Sequence, residues 1–257
     1  SPNLAELNSV ADYLDFQQTS FKSKLYNCNK YSLNSKLDFD FFFKNKFDIG
    51  FVTGWQRLIP KEILETFSVG VFGMHGSAMD LPIGRGRSPM NWALIEGKEQ
   101  FYTNIFKYDP GVDSGDVLDT YKFQIRNTDT AETLHFKNTL SMIHLINRNL
   151  NHFINRNLNL LNQNADITPT YYPKRSPSDS LIDWTKDISE INRFIRAVHP
   201  PFGGSYTYLN NETKCQIIDA FIFDFNDFDF TKETPGKVVQ VFPNDKFLVK
   251  CYTLIIR

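Results

Sequence analysis

Through the first 165 residues, short apolar runs alternate with helical segments, and each run stops at a glycine, a histidine or a turn. That alternation dictates a sheet with helices packed on it, an α/β fold. Asp48-Ile-Gly-Phe-Val52, ahead of Gly54, has the pattern of a buried strand. Val69-Gly-Val-Phe-Gly-Met-His75 is a second such run and Tyr102–Tyr108 a third. Pro60–Phe67 and Met90–Gly97 are predicted as short helices, with Pro60 near one start and Gly97 past the other's last turn. Thr130–Leu161 is predicted as one long helix, in which Ile-Asn-Arg-Asn-Leu-Asn occurs at 146–151 and again at 154–159. Two copies are too few for a solenoid, so they read as a locally duplicated helix surface. Leu7, Val10, Leu14 and Phe16 give a weaker helical pattern over residues 5–24.

The polar, proline-bearing stretch Asn162–Ser180 reads as a linker. An amphipathic helix is predicted over Ile182–His199. Apolar runs at 206–209, 216–225, 237–242 and 247–256 then suggest a small β-domain or open barrel. The expected boundaries are a first domain over 1–165, a linker over 166–180 and a second domain over 181–257. A chain of 257 residues, 41% of them hydrophobic, can bury a core for both. Its net charge of −1 supplies no general field for nucleic acid or an anionic membrane. No run approaches the roughly 18 apolar residues of a membrane-spanning helix. Three widely spaced cysteines, Cys28, Cys215 and Cys251, argue against a disulfide framework and suit a reducing compartment. No His-Glu-x-x-His or Cys-x-x-Cys occurs, so no metal is expected.

His75 closes an apolar strand and is followed by Gly76-Ser77. Open α/β sheets bind ligands at the carboxyl ends of their strands. An imidazole there can act as a general base near neutral pH; a structurally satisfied histidine is the plainer alternative. Asp109-Pro-Gly-Val-Asp-Ser-Gly-Asp116 follows the next strand. Asp and Gly suit a tight turn, yet a turn does not need three carboxylates. A calcium loop would use them, but its full spacing and closing Glu are missing. Gly84-Arg-Gly-Arg-Ser-Pro89 precedes a helix, so backbone N–H groups, Arg85 and Arg87 can receive a phosphate, or the segment is simply a loop. The dinucleotide and phosphate-loop glycine patterns are absent. Tyr171-Tyr-Pro-Lys-Arg175 sets two rings beside two cations, enough to stack a base and hold a diphosphate, or to form a solvated linker.

Taken in order, His75-Gly-Ser77, Leu81-Pro82, Gly84–Pro89, Asn91-Trp-Ala-Leu-Ile-Glu-Gly97 and Gly111-Val-Asp-Ser-Gly-Asp116 resemble the formyltransferases that use N10-formyltetrahydrofolate. The resemblance continues through Ile182-Asp-Trp184, Ile195-Arg-Ala-Val-His-Pro-Pro201 and Pro235-Gly-Lys-Val-Val239, and so covers roughly residues 45–257. It rests on the ordered set rather than on any one motif. It implies a Rossmann-like catalytic domain followed by a small, mostly β, OB-like C-terminal domain, with N10-formyltetrahydrofolate as co-substrate. The family's first strand has no apolar counterpart in residues 1–47 and is expected to be absent. The resemblance makes His75 the catalytic histidine and Asp113, not Asp116, the catalytic aspartate. Trp55, Gln56, Arg57, Leu58 and Ile59, with the stretch from Phe106 through Asp109 to Asp113, correspond to the lining of the pterin pocket. The family carries Asn two residues before the histidine, where it helps polarise the formyl oxygen; Gly73 stands there in this chain. Asn104 is the candidate replacement, with Asn91 less well placed; weakened activity is the alternative.

A tRNA acceptor requires a surface for a polyanion. Residues 174–257 balance eleven Lys and Arg against eleven Asp and Glu, and Phe221–Phe230 is acidic, so tRNA is disfavoured and no nucleic-acid partner is expected. The chain is more similar to the sugar N-formyltransferases of bacterial O-antigen synthesis. That similarity implies a nucleotide-linked amino sugar such as dTDP-4-amino-4,6-dideoxyglucose. Arg85, Arg87, Lys174 and Arg175 are the candidates for its diphosphate, Trp92, Tyr171 and Tyr172 for its base or sugar, and Ser88 is a further substrate-binding candidate. It further implies a cytoplasmic homodimer without membrane contact. A methionyl-tRNA formyltransferase-like enzyme and a non-catalytic nucleotide-sugar or folate-binding relative are the alternatives.

Overall fold

The computed structural model describes residues 24–256, apart from 211, 224–229, 231, 245, 253 and 254. The helical pattern over 5–24 and the acidic centre of the 221–230 run therefore fall outside the described residues, Lys24 excepted. The chain divides into two compact units. One comprises the chain up to Gly86 with Tyr102–Lys122 and Thr139–Tyr171; the other comprises Arg87–Phe101, Phe123–Asn138 and Tyr172 onward.

In chain order the first strands are β1 (Ile49–Val52), β2 (Gly70–Ser77), β3 (Arg85–Gly86), β4 (Gln100–Lys107) and β5 (Val117–Gln124). All but β3 form one sheet in the order β1-β2-β4-β5. β1 runs parallel to β2 and β4 antiparallel to it, so the sheet is mixed. Side chains alternate across β2. Val71 packs with Ile59, Ile63 and Leu64, whereas Phe72 packs with Ile105, Leu145 and Phe153. β5 has no counterpart among the expected strands, although its β-branched and aromatic residues fit one.

Helix α1 (Lys36–Asn45) is likewise absent from the sequence expectations. Ser35 caps it, its hydroxyl accepting from the Asp38 N–H. The Asp38 carboxylate is fully buried and accepts from the Tyr26 hydroxyl, the N–H groups of Asn29 and Lys30, and the Ser35 hydroxyl. Burial alone would raise its pKa; these donors outweigh burial and hold the carboxyl below its usual range. Helix α2 (Lys61–Leu64) is a single turn, shorter than the expected Pro60–Phe67. Helix α3 is Pro89–Ile95.

Helix α4 (Ala131–Ile154) stops seven residues short of the expected Leu161. Arg156 takes a left-handed φ of +56°. The Arg156 N–H donates to Phe153 O and the Asn157 N–H to His152 O, the paired bonds of a Schellman terminus. Leu158 and Leu160 then pack with Phe153, and Leu161 bridges Val117. The first copy of the hexapeptide is helical, whereas the second leaves the helix after its first residue, Ile154, so the expected duplicated helix surface does not form. The segment 162–180 is not a free linker either. It contains β6 (Tyr171–Tyr172) and a 3-10 turn at Pro177–Ser180, and side chains tie it down as described below.

In the second unit, α5 (Ile188–Ala197) starts six residues later than expected. Ile182 donates its N–H to Tyr206 O, Asp183 folds a turn onto Thr185, and Asp187 with Glu190 forms a capping box. Ile188, Ile191 and Ile195 bury one helix face against Ile217, Ala220 and Val249. β7 (Ser205–Leu209) and β8 (Thr213–Ile217) form a hairpin. β9 (Ile222–Phe223), β10 (Val238–Phe242), β11 (Lys246–Lys250) and β12 (Ile255–Ile256) form an antiparallel sheet ordered β10-β11-β12-β9. The expected single run 216–225 is therefore two strands, interrupted where the Asp219 carboxylate accepts from the Ala220 N–H. Among the described residues, no helix is long and apolar enough to cross a membrane.

Candidate active site

His75 lies near the C-terminal end of β2, directly opposite Asn104 of β4, so the two side chains share a face of the sheet. His75 is 7% exposed. Its Nε2 is 2.8 Å from Gly84 O; a carbonyl only accepts, so the Nε2 proton points there. Its Nδ1 lies 3.4 Å from Asp113 Oδ2, which also accepts from the Gly86 N–H at 3.0 Å. Strand β2, the 84–86 loop and the 109–116 loop thus converge on a His–Asp pair.

The acidic loop is built with little freedom. Asp113 sits at φ +50°, the left-handed region that few non-glycine residues adopt and that aspartate tolerates better than most. A Cβ on Gly115 would lie 1.6 Å from Lys107 O, so only glycine fits. Asp109 Oδ1 accepts from the Gly111 N–H and the Ser114 hydroxyl at 3.0 and 2.6 Å, and Asp116 Oδ1 accepts from the Asn162 amide at 2.6 Å. The three carboxylates have separate tasks: Asp109 and Asp116 brace the loop, and Asp113 meets the histidine. Among the described residues, no group of three or more His, Cys, Asp or Glu could hold a metal ion.

Gln163 escapes sequence reasoning. Its amide donates to Asp113 O and Gly115 O, both at 2.8 Å, and its Oε1 accepts from Arg85 Nη2 at 2.6 Å. Arg85 is 7% exposed and also donates to the Tyr171 hydroxyl at 3.2 Å. Arg85 and Tyr171 therefore brace the acidic loop through Gln163. Nothing local marks Gln163, because every partner is distant in sequence.

Asn104 is fully buried; its Oδ1 accepts from the Thr120 hydroxyl at 2.6 Å, and its Nδ2 has no partner among the described residues. Phe106 is buried and stacks on Tyr108. Trp55 and Ile59 pack in the cluster that holds Val71 and Tyr108. The Trp55 indole N–H is buried and likewise without a partner among the described residues. Gln56 donates its N–H to the Tyr31 hydroxyl, Arg57 lies over the Tyr31 ring, and Leu58 is exposed.

The remaining expected residues belong to the second unit. The Arg87 N–H donates to Tyr172 O, and Ser88 Oγ accepts from the Arg175 N–H. Trp92 stacks on Tyr172, ring centres 6.0 Å apart and planes within 8°, and donates to Pro173 O. The Tyr172 hydroxyl donates to Glu96; burial, reinforced by that carboxylate, pushes its pKa up. The Arg175 guanidinium lies between Trp92 and Phe194, 5.2 and 5.4 Å from the ring centres. Lys174 is exposed. A cavity of about 410 Å³ opens beside Ser88 and Arg175, with Asn91, Lys214 and Gln216 on its wall.

Residues 25–141 match the formyl transferase model, and residues 174–257 match the formyl transferase C-terminal domain. The chain belongs to the formyl transferase family. Among its relatives is the bifunctional polymyxin resistance protein ArnA of Wigglesworthia glossinidia brevipalpis. The two are 29% identical over 227 residues, 88% of this chain and 33% of ArnA. HypX from Aquifex aeolicus in complex with tetrahydrofolic acid superposes with a TM-score of 0.66 at 17% identity, over 86% of this chain and 36% of HypX. The Helicobacter canadensis N-formyltransferase, in complex with folinic acid and dTDP-3-aminofucose, gives a TM-score of 0.59 at 21% identity, over 80% of this chain and 71% of that one. At such identities the two structures show a shared fold. This formyl transferase chain spans about a third of the length of ArnA and of HypX.

Proposed function

We propose that the chain transfers the formyl group of N10-formyltetrahydrofolate to the amine of a nucleotide-linked amino deoxysugar. We take dTDP-4-amino-4,6-dideoxyglucose, in O-antigen synthesis, as the acceptor. The observation that carries this reading is the His75–Asp113 pair, held by the Gly86 N–H and Gly84 O. The apolar cluster of Trp55, Ile59, Val71 and Tyr108, with an indole N–H that is buried and without a partner among the described residues, supports a flat heterocycle carrying hydrogen-bond acceptors bound beside it. Bound folate supplies an activated formyl group whose oxygen gains negative charge as the amine adds. On this reading the His75 Nε2–H, which meets Gly84 O, donates a hydrogen bond to that oxygen, and the Asn104 amide N–H, unpartnered among the described residues, adds a second. Asp113 orients His75 through Nδ1 and helps carry the amine's proton to the folate N10, directly or through water, as the bond between N10 and the formyl carbon breaks.

The even charge of residues 174–257 supports an acceptor smaller than tRNA. The Helicobacter canadensis enzyme, crystallised with a dTDP-amino sugar, supports the sugar class. Trp92 and Tyr172 would face the base or sugar, and Arg87, Lys174 and Arg175 the diphosphate. The same reading makes the protein a cytoplasmic homodimer with its chemistry within 1–165, a connection over 166–180 and a β-rich part over 181–257. The test is incubation with 10-formyltetrahydrofolate and a panel of dTDP-amino sugars, with bulk tRNA in parallel, read by mass. A formyl gain on the 4-amino sugar is expected. Ligand binding without turnover of any amino sugar would overturn the enzyme reading.

A further inference from the structure

Gly73 lies two residues before His75, so a side chain there would project from the same face of β2. A Cβ at Gly73 would lie 2.0 Å from Tyr108 Cε1, 2.5 Å from its Cζ and 2.6 Å from its phenolic oxygen. The Tyr108 ring therefore fills the space that any side chain at position 73 would need, and glycine is what admits it. The ring comes from across the sheet. The Tyr108 N–H donates to Val71 O at 2.7 Å, and the ring stacks on Phe106, the residue directly opposite Gly73. The hydroxyl therefore sits over Gly73, two residues before His75 on the same strand face, and two residues along a strand span about 7 Å.

We propose that Tyr108 is a catalytic hydrogen-bond donor whose phenolic O–H, seated over Gly73, binds the oxygen that becomes negative as the amine adds to the formyl group. The inference rests on the formyl-transfer reading above. Burial, reinforced by the negative charge of Asp113, pushes the Tyr108 pKa up to about 12, so the hydroxyl keeps its proton at any working pH. No proton changes owner in this role: the O–H donates to the developing charge and withdraws as the carbonyl re-forms. Asn104 stands opposite His75 rather than Gly73, so the two donors are separable by mutation.

The test is Tyr108→Phe, which keeps the ring and its packing against Gly73 and removes only the hydroxyl. Loss of one donor to such an oxygen lowers kcat by about 10²–10³-fold. That fall is expected with KM for both substrates, folate affinity and thermal midpoint unchanged. If Tyr108 were only a wall of the pocket, phenylalanine would serve equally, and kcat within threefold of wild type would overturn the proposal. A second variant pair guards against a packing artefact. Gly73→Asn combined with Tyr108→Ala returns a donor to the same space, and it is expected to recover at least about tenfold over Tyr108→Ala alone. No recovery together with an active Tyr108→Phe would refute the donor role. Wild-type protein that transfers no formyl group would overturn the parent reading instead, and the proposal with it.

Discussion

Gln163 is one side chain holding two main-chain carbonyls of the acidic loop and one buried guanidinium. Gln163→Leu keeps the volume and removes all three hydrogen bonds. Two neutral bonds are worth about 1 kcal/mol each, and the bond to the Arg85 cation about 1.5–3 kcal/mol. Gln163 is half-buried, so water recovers part of that sum, and a net loss of about 2–3 kcal/mol is expected. For a chain of this size, each kcal/mol moves the thermal midpoint by about 2–4 °C, which gives a fall of about 4–12 °C. Asp113 would lose its fixed placement beside His75, and misplacement of a catalytic group by an ångström can cost about a hundredfold. Calorimetry and steady-state turnover measure the two effects. A midpoint within 1 °C of wild type, together with kcat within twofold, would refute the claim that this glutamine builds the loop.

His75→Ala and Asp113→Ala are each expected to abolish turnover while sugar-nucleotide affinity, read by titration calorimetry, stays within a few fold; full activity in either would sink the pair's assignment. Gly115→Ala pushes a methyl group against Lys107 O, so the loop must move, and a lowered midpoint with at least about a hundredfold loss of kcat is expected. A stable, fully active variant would contradict the geometry. Asp38 has its folded pKa held below the unfolded value of about 3.9. Its contribution is therefore present above about pH 4 and is lost as pH falls through the lower folded value. Asp38→Asn is expected to be less stable at pH 7 and flatter between pH 4 and pH 2 in urea titrations; parallel profiles would count against it.

The strands around His75 are legible because Val69–His75 is apolar up to the histidine, as a strand covered on both faces tends to be, and because five of the seven residues of Tyr102–Tyr108 are aromatic or β-branched. The glycine of the acidic loop is legible as a turn residue, and the close approach of Lys107 O to Gly115 supplies the reason. Helix α1 carried a local signal in Ser35-x-x-Asp38, and β5 carried one in its β-branched and aromatic content. What no local pattern carries is the support around the pair. Gln163 reaches back to Asp113 and Arg85, and Tyr108 fills the place of a side chain at Gly73. Arg85 and Arg175 look from sequence like free cations. In the fold one is buried against Gln163 and Tyr171, and the other lies between two aromatic rings.

The repeated hexapeptide Ile-Asn-Arg-Asn-Leu-Asn supplies a controlled comparison inside one molecule. At 146–151 it is mid-helix; at 154–159 it reverses the chain, with an arginine in a backbone conformation that glycine would hold at less cost. The two copies have the same composition and intrinsic propensity, so the difference arises from their flanking residues and from what each meets in space. The downstream copy is followed by Leu160 and Leu161, which are drawn to the core and to Val117. Any reading window of six residues must assign the two copies alike. The shape of this segment is therefore set by its surroundings rather than by the hexapeptide alone.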